Sequence, residues 1–269
     1  MKVIKVYDKN NDIRSYNRNI FKATESILAQ FPYEYGDCYR HNLETLELLQ
    51  VDKMRDPSLD GYYDDKSNKI FFNKKNSLGH EMFHMASNDL MNGNFAFESN
   101  MLIEAGLIEG MAEYFNMKAY DLDGPSAYPF EVFCVSMLED IPHIFRPFFI
   151  PSSKDFISLF PNRRDIYSLL YSLDSYNEMY TQYLSELYCN QEITVDMALF
   201  KNTIKDVLSS LINIELSLEK DSHMLKKYDY KFMEYIGSDR LTTLFEEFYP
   251  KYYEYADKLM DKKIRKRKI

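Results

Sequence analysis

Leu78-Gly79-His80-Glu81-Met82-Phe83-His84-Met85-Ala86 sets two histidines four residues apart, with a glutamate directly after the first. On a helix, positions i and i+4 project from one face, so both imidazoles reach a single ion. Glu81 lies about 100° around the helix from His80, where it faces a water on that ion rather than the ion itself. The H-E-x-x-H spacing therefore points to a zinc site in which His80 and His84 are ligands and Glu81 is the general base. Bound Zn²⁺ brings the pKa of its water towards ~7, within reach of a carboxylate base. Leu78, Met82, Ala86 and Leu90 form an apolar stripe, and Asn76 or Ser77 offers an N-cap, which predicts a helix running to about Met91.

A three-ligand zinc site needs one more donor. The stretch Gly106-Leu107-Ile108-Glu109-Gly110-Met111-Ala112-Glu113-Tyr114-Phe115 supplies two carboxylates at i and i+4 on a helix predicted over about Leu107 to Tyr120. One carboxylate can ligate the metal while the other bonds the far nitrogen of a ligand histidine. Gly110, beside them, leaves room for a neighbouring backbone. The rest of this helix is too apolar to be a solvated charged face.

These two segments together resemble the gluzincin metallopeptidases, whose H-E-x-x-H helix is followed by a second helix carrying a glutamate ligand. Ile108-Glu109-Gly110-Met111-Ala112-Glu113-Tyr114 matches the family's N-E-G-[FL]-x-E-Y pattern except that Ile108 stands in place of Asn. The resemblance implies a zincin-like core, zinc as cofactor, Glu109 as third ligand and Glu113 one turn behind it, with Glu113 as the fallback ligand. It also implies an oxyanion donor after the glutamate helix, for which Tyr128 is the first candidate and His143 the second. The hairpin strand ending at Phe72 looks like the strand that borders the zincin cleft. The resemblance covers roughly residues 60–140. There are 24 residues between His84 and Glu109, and no G-x-M-E-N motif lies upstream, so nothing points to an aminopeptidase.

Outward from this centre, Val3, Ile4 and Val6 predict an opening strand and Leu46, Leu48 and Val51 a second. Ile20 to Phe31 follow helical spacing until Pro32. Gly61-Tyr62-Tyr63 and Ile70-Phe71-Phe72 flank the turn-forming Asp64 to Asn68 and predict a hairpin. Beyond Gly124-Pro125 the pattern is helical, with long amphipathic stretches near 163–189, 195–220 and 239–261. The expected class is α+β: a small N-terminal sheet and two metal-site helices in residues 1–145, then a mostly helical part in residues 146–269.

Composition bounds the function. A net charge of −9 argues against a nucleic-acid-binding surface over the whole protein. Cys38, Cys134 and Cys189 are odd in number and form no C-x-x-C pair, which suits a reducing compartment. With no stretch of about 20 apolar residues and no signal-peptide core at Met1 to Asp8, no membrane span and a cytoplasmic location are expected. The basic run Lys262 to Lys268 suits the C-terminal end of a helix dipole, and its role stays open. The expected function is hydrolysis of peptide or protein substrates. The alternative is a non-proteolytic zinc-binding regulatory or interaction module on the same scaffold.

Overall fold

A computed structural model describes residues 1–90, 93–95, 105–122, 125, 127–151, 153–218, 231 and 235. The amphipathic stretch expected near 239–261 and the basic run Lys262 to Lys268 lie outside the described residues. The architecture is α+β, a small sheet followed by helices. Strand β1 (Val3–Tyr7) leads through the short α1 (Ile13–Tyr16) and α2 (Arg18–Leu28) to α3 (Asp37–Asn42), β2 (Glu47–Val51), β3 (Gly61–Asp64) and β4 (Lys69–Phe72). The sheet order is β1-β2-β4-β3, with β2 and β4 parallel and the other two pairs antiparallel. Leu48, Tyr63, Ile70 and Phe72 are buried and belong to the main core, as the alternation of side chains along a strand requires.

The hairpin forms as expected, with one correction. The strand ending at Phe72, β4, is interior to the sheet; β3 is the edge. β4 is occupied on both sides because the chain returns from β3 to pair in parallel with β2.

Helix α4 (Leu78–Ala86) carries the two histidines, and the pair β5 (Asn88–Asp89) and β6 (Asn94–Phe95) follows. The helix stops short of Met91, and neither end is built as the sequence suggests. Ser77 does not cap it: its hydroxyl donates to the carbonyls of Asp60 and Lys74, after a 3₁₀ turn over Lys75–Ser77. At the other end, the Asn42 amide donates to the carbonyls of Met85 and Asn88, and the Ser87 hydroxyl to that of His84. These buried bonds satisfy carbonyls that the next helical turn would have used.

Helix α5 (Ala105–Tyr120) is the axis of the molecule and takes Gly106 into its first turn. It packs against α2, α4, α6 (Pro129–Leu138) and α9 (Arg163–Tyr188), so nearly its whole surface is covered. The chain continues through α7 (Arg146–Phe149) and α8 (Ser153–Ser158) to α9, against which α10 (Met197–Ser217) lies antiparallel as its hairpin partner. Phe115 of α5 meets Phe145 and Phe149 at ring-centre distances of 4.9 Å, which ties the segment around α7 to α5. Buried Lys231 donates to the Ser136 carbonyl and to Glu139, at the C-terminal end of α6.

The α5–α6 contact has a measurable consequence. A Cβ on Gly110 would stand 2.8 Å from both the carbonyl carbon and the carbonyl oxygen of Glu131. Alanine favours a helix over glycine by about 1 kcal/mol, but overpacking a core costs ~1–3 kcal/mol, and here the obstacle is backbone. Gly110→Ala is therefore expected to lose roughly 1–2 kcal/mol in urea unfolding. A midpoint raised above that of the unaltered protein would contradict this contact.

Candidate metal centre

Helices α4 and α5 face each other so that their polar residues meet inside an apolar surround. His80 Nε2 lies 3.0 Å from Glu109 Oε2, His84 Nε2 lies 3.2 Å from the same oxygen, and the two imidazole nitrogens are 2.9 Å apart. Three donor atoms thus converge on one point. Ligands held at about 2.0–2.1 Å by a tetrahedral ion lie roughly 3.3 Å from one another, so a small movement of each admits the ion. His80, His84 and Glu109 are compatible with a metal site. The donors also fit one another chemically: lone pairs crowded this closely repel unless a cation or a proton stands between them.

Glu113 meets the other side of His80. Its Oε2 is 3.0 Å from His80 Nδ1, and it is fully buried. Nδ1–H donating to a carboxylate leaves the Nε2 lone pair directed at the common point. Glu113 is itself held by the Asn116 amide at 3.1 Å and the backbone N–H of Ala127 at 3.3 Å. Asn116 was not singled out in the sequence, although its position three residues after Glu113 places it on the same helix face.

The electrostatics follow from this crowding. Burial works against a charge on His80, but the bonds to Glu109 and Glu113 outweigh it and raise its pKa well above the usual imidazole value. Burial opposes the charge on Glu109 too, yet His84 and His80 hold its carboxyl far below the usual range. Glu81 shifts the other way: burial pushes it up, against the partial compensation of the two histidines. Glu81 is not among the converging donors. The backbone N–H of Tyr63, on β3, lies near enough to its carboxylate to favour the charged form.

The edge strand thus runs beside Glu81. Asn73 N–H bonds the Asp60 carbonyl at the open end of the hairpin, and the register pairs Tyr62 with Phe71. Since antiparallel bonding alternates, Gly61 and Tyr63 turn their backbone groups outward, away from β4. A Cβ on Gly61 would stand 3.0 Å from Glu81 Oε1.

Tyr128 stacks on His80 with ring centres 5.5 Å apart, and Glu109 and Glu81 are the charges nearest its phenol. Burial, with the charge of Glu109, keeps its phenol protonated well above the ordinary pKa. The backbone at Tyr128 is left-handed, φ 53° and ψ 44°, immediately before Pro129. For a bulky residue this conformation costs on the order of 1–3 kcal/mol and persists only where the surroundings impose it. His143 lies elsewhere, lining a surface cavity of about 180 Å³ with Arg146, Pro147, Ser158 and Leu159.

No protein-family model, curated protein or solved structure matches the chain. Among the described residues no helix is long and apolar enough to cross a membrane.

Proposed function

We propose that this chain is a gluzincin-like, zinc-dependent peptidase with His80, His84 and Glu109 as ligands. The observation that carries the reading is the convergence of His80 Nε2, His84 Nε2 and Glu109 Oε2, with buried Glu81 beside them but outside the donor set. Zinc held there would polarise a scissile carbonyl and bring a bound water's pKa near neutrality.

The residues of the chain supply the rest. Glu81, raised by burial, takes the proton of the attacking water and returns it to the leaving amine. Glu113 holds His80 in the ligating tautomer. Tyr128 keeps its proton and is the donor to the oxygen that gains charge as the carbonyl is attacked. An extended peptide pairs with the outward backbone groups of Gly61 and Tyr63 on the edge strand β3, which carries its scissile bond past Glu81.

Metal analysis combined with digestion of a peptide library tests the proposal. One equivalent of zinc with cleavage of a subset of peptides is the expected result. Zinc without cleavage would instead favour a non-proteolytic binding module, and absence of metal would sink both. Tyr128→Phe removes only the hydroxyl. It is expected to keep the metal and lower kcat about 10²-fold, the usual cost of losing one oxyanion donor. An unchanged kcat would remove Tyr128 from the mechanism.

A further inference from the structure

Helix α5 carries both glutamates, and its first turn is held by a residue 68 positions away: Gly106 N–H donates to Asp174 Oδ1 on α9 at 3.0 Å. The first N–H groups of a helix have no partner within it, and a carboxylate there also faces the positive end of the dipole. At the same point the α9 backbone presses on α5. A Cβ on Gly106 would lie 2.8 Å from the Leu173 carbonyl oxygen and 2.9 Å from Leu173 Cγ. Two consecutive residues of α9, one by contact and one by a hydrogen bond, therefore locate the start of α5. Glu109 follows three residues later, within one turn. Any slide or rotation of that turn moves the Glu109 carboxylate, and metal sites tolerate ligand displacements of only about 0.2 Å.

We propose that Asp174 is a positioning residue for the metal centre. By accepting the Gly106 N–H it sets α5 against α9 and places Glu109 where His80 and His84 converge. The proposal rests on the metal-site reading above, and it gives the C-terminal helical part a share in the site.

The carboxylate is not there for stability alone. Burial raises Asp174 to about 6, only partly offset by the bond from Gly106. The fold thus keeps a charged acceptor where its burial is costly, since an apolar side chain there would leave the Gly106 N–H without its partner.

Asp174→Leu and Asp174→Asn separate positioning from packing. Leucine matches the size but cannot accept the N–H; asparagine keeps an accepting oxygen without the charge. Zinc affinity is read by competition with a chelator, and thermal unfolding is followed on the zinc-free protein. Asp174→Leu is expected to bind zinc about tenfold more weakly or worse, in the range of other outer partners of metal ligands, while the zinc-free protein still unfolds in one cooperative transition. Asp174→Asn is expected to stay within about twofold of the unaltered protein, having kept the acceptor. Zinc bound as tightly by Asp174→Leu as by the unaltered protein overturns the proposal, as does equal weakening in both variants. Should Asp174→Leu fail to fold, Asp174→Ser, too short to reach Gly106, takes its place with the same two outcomes. Failure of the unaltered protein to bind zinc removes the metal reading and this proposal together, a result distinct from either.

Discussion

Glu81→Gln is expected to bind one equivalent of zinc and to lose peptide hydrolysis by about 10²–10⁴-fold, the usual contribution of a positioned general base. The two halves of that result have separate causes. Glu81 is not one of the converging donors, so an amide in its place leaves His80, His84 and Glu109 together. The amide has the size of the carboxylate and can still accept from the Tyr63 N–H beside it, but it cannot take a proton from water. Glu81 is buried beside the two histidines, and the nearby carboxylate Glu109 is one of the converging donors. Loss of zinc in this variant would make Glu81 a ligand and reverse the assignment of roles. Full turnover would remove it from the chemistry altogether.

Glu109→Ala is expected to come close to abolishing zinc binding, whereas Glu113→Ala should weaken it by about 10–100-fold. The distinction lies in which histidine nitrogen each carboxylate meets. Glu109 Oε2 lies within 3.2 Å of the Nε2 atoms of both histidines, so removing it leaves two donors of three. Glu113 meets only Nδ1 of His80; its removal frees the ring to turn or change tautomer while all three donors remain. His80→Ala and His84→Ala should resemble Glu109→Ala, since each also leaves two donors. Zinc titration of purified variants measures all four. Tighter binding by Glu109→Ala than by Glu113→Ala would exchange the two glutamates' roles.

The sequence by itself determined what depends on local periodicity. The i, i+4 spacings of His80 with His84 and of Glu109 with Glu113 put each pair on one helix face whatever else the chain does. The apolar surround of Glu109 in its own segment indicates a buried helix, and α5 is buried on nearly every side. The hairpin was equally legible, because Asp64 to Asn68 can do little but turn between two β-rich runs.

Only the tertiary structure decided what depends on partners distant in sequence. The end of α4 at Ala86 is imposed by the Asn42 amide, 43 residues before Met85, so a helix read from its own pattern runs too far. Which strand of the hairpin lies at the edge follows from the parallel pairing of β4 with β2, a choice that strand propensity does not encode. Which histidine nitrogen Glu109 and Glu113 each meet depends on how α5 is rotated against α4. Helix α5 is held by close backbone contacts at Gly106 and Gly110 and by the bond from the Gly106 N–H to Asp174, all of them interactions with other helices. Residue types and spacings named the groups able to hold a metal; packing between helices decided which of their atoms converge.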